Sequence, residues 1–275
     1  MPFLTAPTLV SVLALATLSP ATPEGDVDAL LAKLRTPASL RDDWSTFRVG
    51  GDLFAATDRQ SDELFIAGPC RVTTPLPQGY PLPTPPGAVE LKRYPAARRA
   101  EYASSGDSEF GRNIAFWPLF NHIKKHDIAM TSPVEMDFKS REAKVLGTQP
   151  DPKDKRWTMS FLYRTPDMNA TGSEGKVTVT DVPAVSVIAV GTRGPYSEEA
   201  LDDALNTLMA TLATSPDWKP AGAPRALYYN GPDTAPKNLW GEIQIPITPT
   251  LTSTTPTAIP APAIPSAGPS EAPGR

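Results

Sequence analysis

Residues 116–136 read FWPLFNHIKKHDIAMTSPVEM, and this stretch sets the interpretation of the rest of the chain. Four apolar residues in its first half recur at the spacing of one helical face, which predicts a short amphipathic helix. They are Phe116, Leu119, Phe120 and Ile123. Because proline is tolerated only in the first turn of a helix, Pro118 predicts a start near residues 115–117. The second half, residues 128–136, has β-strand character, with Pro133 at an edge position or a bulge.

Composition limits the kind of protein that this chain can be. A chain of 275 residues can bury one hydrophobic core and still have length for tails. Its 26 basic and 30 acidic residues give a net charge of -4, which argues against sequence-independent nucleic-acid binding. The single cysteine, Cys70, excludes an intrachain disulfide framework and a cysteine-based zinc site.

The amino terminus has the features of an export signal. Residues 9–18 form an apolar run of signal-peptide length, and the following Ser19-Pro20-Ala21 suits cleavage after Ala21. The run is too short to span a bilayer, so no transmembrane segment is expected there. We therefore expect residues 1–21 to be a signal peptide and the protein to be periplasmic or secreted. No lysine or arginine precedes the run, which keeps open the alternative of a cytoplasmic protein.

Residues 22–86 are predicted to be an extension and a linker outside the globular domain. Residues 27–35 have an apolar helical face that a proline soon ends. Residues 44–66 contain no motif and are expected to have weak structure packed on the main domain, or none. In residues 75–86 the prolines remove backbone donors and disfavour helix, which predicts an extended polyproline-like linker. At the other end, residues 248–275 have too little apolar surface to fold, so a disordered tail is expected.

The globular domain is predicted to span residues 87–247 and to have an α+β fold. Apolar runs and alternation predict strands at residues 89–94, 98–102, 157–163, 177–180, 185–190, 226–229 and 240–245. A second helix should begin after Ser197, which is a good N-cap residue. Its apolar stripe is Leu201, Leu205, Leu208 and Leu212. Helix and strands follow the same order in both halves, so we predict an internal duplication of a β-α-β-β unit.

The opening stretch resembles the SOUL/haem-binding protein family, whose members carry a Phe-rich helix followed by a Met-Thr-x-Pro-Val segment. The matching residues are Leu119, Phe120, Ile123, Ile128, Ala129, Met130, Thr131, Ser132, Pro133 and Val134. The second half, with residues 193–196 (RGPY) and 228–230 (YYN), is also similar to gyrase-inhibitor-like small-molecule-binding domains. Together the resemblances cover residues 88–247. They imply a mixed or antiparallel arrangement of strands, as a distorted β-barrel or a curved sheet, with two helices packed on it and a cleft between pseudo-symmetric halves.

The sequence contains no strong catalytic motif, and we therefore expect a protein that is not an enzyme. It lacks a Gly-x-Ser-x-Gly elbow, a P-loop and a His-Glu-x-x-His pattern. His122 and His126 are four residues apart on the predicted helix, a spacing that can present two imidazoles to a metal. No acidic or cysteine companion has an obvious spacing, so we predict no metal site and favour one solvated histidine and one partner of the helix dipole. The alternative is an axial haem ligand from this pair.

The family resemblance implies haem as a cofactor, and the lack of a Cys-x-x-Cys-His motif makes its binding non-covalent. A flat apolar disc with two carboxylates needs an apolar slot with a basic rim. The candidate slot residues are Phe116, Phe120, His122, Met130, Tyr196, Tyr229 and Trp240. The candidate rim residues are Arg98, Arg99, Arg112, Lys124 and Lys125. Met130 and the tyrosines are also candidate iron ligands.

Three hypotheses describe the function. The first is a monomeric, non-catalytic binder of haem or a related planar hydrophobic molecule, with no nucleic-acid partner. The second is a binder of cationic aromatic molecules, with Glu242 as the charge partner in an apolar cleft. The third is a hydrolase of small hydrophobic substrates. On an alternating strand Glu242 would instead face outward as an ordinary polar residue.

Overall fold

The computed structural model of the protein describes residues 45–106 and 108–250. The predicted signal peptide, the predicted helix at residues 27–35 and the predicted tail beyond residue 250 lie outside the described residues. No helix within these described ranges is long and apolar enough to cross a membrane.

The described residues form fourteen strands and three α-helices. The strands are β1 (Thr46–Gly51), β2 (Asp58–Arg59), β3 (Phe65–Ala67), β4 (Cys70–Val72), β5 (Ala88–Tyr94), β6 (Ala97–Ser104), β7 (Val134–Asp137), β8 (Trp157–Leu162), β9 (Gly172–Glu174), β10 (Val177–Val182), β11 (Val185–Arg193), β12 (Trp218–Pro220), β13 (Arg225–Tyr228) and β14 (Trp240–Pro249). The helices are α1 (Ser108–Lys125), α2 (Glu142–Leu146) and α3 (Glu198–Ala213). Helix α2 has no counterpart among the two predicted helices, and β14 continues past the predicted domain end at residue 247.

Eleven of the strands form one open antiparallel sheet. Its order is β1-β5-β11-β14-β13-β7-β8-β6-β10-β9, and β12 pairs with β14 beside this path. The paired strands of this sheet all run antiparallel, so the antiparallel alternative of the prediction is confirmed and the mixed one is not. The sheet does not close into the alternative barrel, because its end strands β1 and β9 pair with β5 and β10 and not with each other. The α+β class is confirmed.

The strand order follows a two-fold pattern around the central pair β7 and β13. In this pattern β5 corresponds to β10, β6 to β11, β7 to β13 and β8 to β14. Corresponding strands lie at equal distances on opposite sides of the central pair. Helix α1 packs on β6 and β8, and α3 packs on the corresponding strands β11 and β14. The halves therefore meet where β7 pairs with β13.

Helix α1 is longer than the sequence predicts. It begins at Ser108 and continues through Pro118 to Lys125, so the predicted start near residues 115–117 is wrong. Pro118 removes the helical hydrogen bond to the carbonyl of Ile114. Ile114 is 63% exposed, so the freed carbonyl lies on the solvent side of the helix rather than in the core, where an unpaired carbonyl is less costly.

Helix α3 forms where the sequence predicts it. The Ser197 side chain caps its first turn by accepting a hydrogen bond from the Ala200 N–H at 3.2 Å. The predicted apolar stripe is buried, namely Leu201, Leu205, Leu208 and Leu212. Helix α3 is thus fixed by local capping and by one apolar face on the sheet.

Residues 45–86 pack on the sheet. Packing was one of the two alternatives expected for residues 44–66, whereas it differs from the linker expected for residues 75–86. Strand β1 pairs with β5, while β2, β3 and β4 form a separate three-stranded sheet. Residues 75–86 have no regular secondary structure, but they are not a solvated spacer. Leu76 belongs to a core cluster that also contains Cys70, Leu227 and Trp240. Burial of apolar side chains on a distant strand outweighs the extended tendency of the prolines.

The backbone of residues 84–85 lies directly on strand β11. The Gly87 N–H donates to the Gly191 carbonyl at 2.9 Å. A Cβ atom at position 191 would lie 2.2 Å from the Pro85 oxygen and 2.4 Å from the Thr84 oxygen. Only glycine leaves room for this approach.

This close contact predicts the effect of Gly191→Ala on stability. The added methyl group must push the segment from the sheet, which should lower the free energy of unfolding in urea by about 1–3 kcal/mol. The control is Gly50→Ala on β1, where the new Cβ would have only ordinary contact with Val89 at 3.8 Å. It should change stability by less than about 0.5 kcal/mol. Equal effects of the two substitutions would show that the segment is held loosely.

Candidate functional site

A cleft of about 540 Å³ lies beside α1, between the chain that enters β7 and the loop that leaves β13. This volume lies within the range of about 300–1,000 Å³ that is typical of small-molecule sites. Four of the predicted ligand-binding residues line it, namely Phe116, Met130, Tyr196 and Tyr229. Phe120, His122, Trp240 and Glu242 do not line it. The structure thus brings together half of the predicted set.

Aromatic rings form the walls of the cleft. The rings of Tyr196 and Tyr228 are stacked, with centroids 4.1 Å apart. Phe116 lies against Phe120 in a stacked arrangement at 5.8 Å. The guanidinium of Arg112 lies 5.8 Å from the centre of the Tyr228 ring, so one cation accompanies these apolar faces. A flat apolar molecule with a negative group matches such a lining.

The tyrosine hydroxyls of the cleft are already hydrogen-bonded. Tyr196 donates to the Trp240 carbonyl at 2.8 Å, and Tyr229 donates to Glu242 at 3.1 Å. Burial raises the pKa of both phenols above the ordinary value, and the Glu242 charge adds to this effect at Tyr229. Both residues therefore stay neutral and offer ring faces, which disfavours them as phenolate ligands of iron.

Met130 is the soft donor of this cleft, since the two histidines of the chain lie elsewhere. Its half-buried thioether borders the cavity just before β7. His122 lies in the last turn of α1, His126 follows directly after the helix, and His122 is hydrogen-bonded to the Tyr163 hydroxyl at 3.0 Å. Neither histidine borders the cleft, so the predicted axial histidine does not belong to this site.

Trp240 and Glu242 are parts of the core and not of an open cleft. Both are 0% exposed. The Glu242 carboxylate accepts hydrogen bonds from Lys92 Nζ at 2.9 Å and from the Thr84 N–H at 2.8 Å. Burial alone would raise the pKa of Glu242, but Lys92 and the Thr84 N–H outweigh it and hold the pKa below its ordinary value. Glu242 therefore offers no open charge to a cationic ligand.

Of the predicted basic rim, only Arg112 borders the cleft. Arg98 pairs with Asp181 on β10 at 2.7 Å. Arg99 is held by Glu101, Glu135 and Asp137. Lys124 is exposed and Lys125 pairs with Glu174. The sequence shows these basic residues, but it does not show that Asp181, Glu135 and Glu174 pair with them, because strand pairing brings these acidic residues close.

The predicted histidine pair has an acidic companion that sequence spacing did not reveal. Glu174, at the end of β9, accepts a hydrogen bond from His126 Nε2 at 2.8 Å and forms an ion pair with Lys125. These two donors lower the pKa of Glu174 to about 2. Burial lowers the pKa of His122, and the neighbouring His126 acts in the same direction. No local pattern signals this contact, because it depends on where the hairpin of β9 and β10 lies.

Sequence reasoning also omitted Tyr228 and the loop at residues 230–239. The loop supplies Asn230, Gly231, Pro232, Asp233, Thr234, Pro236 and Leu239 to the lining. Its glycine and two prolines predict a turn. They do not predict which cavity the turn borders, because that depends on the pairing of β13 with β7 and β14.

Comparisons with known proteins give a family and a set of distant structural likenesses. A family model described as SOUL heme-binding protein matches residues 80–246, more than half of the chain. Comparison with curated protein sequences returned no match.

The C-terminal domain of EcmrR is 17% identical over 58% of this chain and 96% of its own, with a TM-score of 0.43. A hydrolase from Listeria innocua is 16% identical over 60% and 93% of the two chains, with a TM-score of 0.42. SAV2435 bound to tetraphenylphosphonium is 13% identical over 57% and 92%, with a TM-score of 0.35. Sequence identities and TM-scores as low as these say nothing about the function of this chain.

The buried pair predicts that Lys92→Met is strongly destabilising. It leaves Glu242 without its cation in the core, which should lower the free energy of unfolding at pH 7 by about 3–5 kcal/mol. Without Lys92, burial raises the pKa of Glu242 in the folded variant, so the loss should shrink as the pH falls from 7 towards the ordinary Glu value of 4.5, because the unpaired carboxyl becomes neutral in this range. Urea denaturation at pH 7 and pH 4 measures both effects.

The matched control is Arg59→Met, which removes the cation of an exposed pair. Arg59 and Asp62 have side chains that are 54% and 72% exposed. The Arg59→Met substitution should change the free energy of unfolding by less than about 0.5 kcal/mol at both pH 7 and pH 4. A Lys92→Met variant as stable as this control would mean that Glu242 does not depend on Lys92.

Proposed function

The chain belongs to the SOUL heme-binding protein family, and we propose that it binds haem or a related planar hydrophobic molecule in the cleft beside α1. Binding is non-covalent and does not lead to turnover. The observation that carries the proposal is the lining of one cleft by Phe116, Met130, Tyr196 and Tyr228, with Arg112 at its side. The described residues that line the cleft include no histidine or cysteine, which supports a binding role over a catalytic one.

Each part of the lining matches one part of such a ligand. The ring faces of Phe116 and Tyr228 suit a flat aromatic system. The planar guanidinium of Arg112 suits a carboxylate substituent. The thioether of Met130 is of a kind that haem iron accepts as an axial ligand, and Met130 is therefore the residue that we assign to the metal.

We also infer that the domain arose by duplication of a β-α-β-β unit. The reversed strand order of the two halves and the equivalent packing of α1 and α3 support this inference. The cleft borders Val134 at the start of β7 and Tyr228 at the end of β13, which are corresponding strands. A ligand in the cleft would thus contact both halves at their junction.

Hemin titration of the full chain tests the binding proposal. Hemin should give a saturable Soret band, and Phe116→Ala should weaken binding about three- to tenfold, because an aromatic contact contributes about 0.5–1.5 kcal/mol beyond its buried area. Trp117→Ala is the control, since Trp117 follows on the same helix but is 61% exposed and does not line the cleft. An equal loss in both variants, or no saturable band, would contradict the proposal.

A second titration tests the assignment of Arg112 to a ligand carboxylate. Arg112→Gln should weaken hemin binding about two- to fivefold, in keeping with a partly exposed ion pair. It should leave the affinity for the dimethyl ester of hemin unchanged, because the ester has no carboxylate to pair. Lys124→Gln is the control and should alter neither affinity, since Lys124 does not border the cleft. An Arg112→Gln variant that loses both ligands equally would refute the charge pairing.

A further inference from the structure

The last turn of α1 and the hairpin of β9 and β10 bring two imidazoles and one carboxylate together. Glu174 Oε2 lies 2.8 Å from His126 Nε2 and 3.3 Å from His122 Nδ1. One ligand atom from each of the three residues lies within 4.8 Å of the others. We propose that these residues form a site for a divalent transition-metal ion, with Zn²⁺ as the best-matched ion.

The buried ring of His122 provides an independent reason for a ligand. Its side chain is 5% exposed, yet Nδ1 makes no well-aligned hydrogen bond, and the polar atom that it faces is Glu174 Oε2 at 3.3 Å. A buried ring nitrogen without a partner costs free energy, and an ion bound to it would remove that cost. The other nitrogen, Nε2, is hydrogen-bonded to the Tyr163 hydroxyl. With an ion on Nδ1, Nε2 carries the proton and donates to this hydroxyl, which holds the ring in a ligating orientation.

The two separations that involve Glu174 are close to those of a tetrahedral ion site. Bonds of about 2.0–2.1 Å place neighbouring donors in a tetrahedral zinc site about 3.3 Å apart. The separation of His122 Nδ1 and Glu174 Oε2 already has this value. His126 Nε2 needs to move outward by about 0.5 Å to reach the same separation. Its side chain is 31% exposed, which leaves the ring free to do so.

The donor types select the class of ion. Two imidazoles and one carboxylate suit Zn²⁺ and similar transition metals, whereas Mg²⁺ and Ca²⁺ prefer oxygen ligands alone. Lys125 pairs with the Oε1 atom of Glu174, which leaves Oε2 for the ion. Three protein ligands leave a fourth position for an exchangeable ligand. A cavity of about 250 Å³, lined in part by His122, Lys125 and Glu174, gives such a ligand access.

This ion site is separate from the proposed haem site. None of the three ligands lines the aromatic cleft, and neither Phe116 nor Met130 lines the cavity beside Glu174. The haem proposal and the ion-site proposal can therefore be tested independently of each other. Hemin affinity should be unchanged in Glu174→Gln, and Zn²⁺ affinity should be unchanged in Phe116→Ala.

Zn²⁺ titration of the tag-free, chelator-treated full chain tests the ion site. The chain has only two histidines, and its single cysteine is buried, so a stoichiometry of one ion per chain reports this cluster. Calorimetry should give that stoichiometry, and Co²⁺ should give the visible absorption of a tetrahedral nitrogen and oxygen site. Glu174→Gln and His126→Gln should each weaken Zn²⁺ binding about tenfold or more, since each removes one ligand.

Lys125→Met is the matched control for these variants. It removes another polar partner of Glu174 from the same helical turn without removing a ligand, and it should keep one Zn²⁺ per chain. Circular dichroism checks that each variant is folded. The side chains of Glu174 and His126 are partly exposed, so their substitution should not unfold the protein. No Zn²⁺ binding by the wild-type chain, or unchanged affinity in either Glu174→Gln or His126→Gln, overturns the proposal.

Discussion

A carboxylate without contact with solvent constrains the rest of this structure. Glu242 lies on β14 inside the sheet and stays ionised only because hydrogen-bond donors surround it. Lys92 on β5, Tyr229 after β13 and the N–H of Thr84 supply them from three separate parts of the chain. Because a buried charge is costly without its partners, strand pairing and the packing of residues 75–86 depend on each other.

The same network decides where a ligand can bind. Gln244 joins Glu242 to Arg225, and Arg225 in turn pairs with Glu135 on β7. A ligand at Glu242 would have to break several of these buried bonds and displace the segment at Thr84. The aromatic cleft beside α1 has no such cost, because it is already an open cavity and the hydroxyls of Tyr196 and Tyr229 have partners within the protein. The cost of breaking the buried hydrogen bonds around Glu242 thus favours ligand binding in the aromatic cleft over binding near Glu242.

Local sequence patterns predicted the parts of the fold that local interactions determine. Strand alternation and the cap at Ser197 depend on neighbouring residues, and α3 and the seven strands predicted from apolar runs and alternation lie where the sequence predicts them. Strands β1 to β4, β9 and β12 were not predicted. The start of α1 was missed, because the cost of Pro118 depends on the exposure of one carbonyl in the folded protein. Lys92 and Glu174 were missed for a related reason. Each meets its partner, Glu242 or His126, across a long stretch of sequence that only strand pairing brings together.

Helix α1 shows how one set of apolar contacts positions two kinds of chemistry. Ala115, Leu119 and Ile123 are buried, and they fix the rotation of the helix on β6 and β8. Successive side chains are about 100° apart, so this rotation also determines the directions of the neighbouring residues. It places Phe116 at the aromatic cleft and, two turns later, His122 beside Glu174. A change in the apolar stripe would therefore shift both groups together, and neither could be repositioned without repacking the helix.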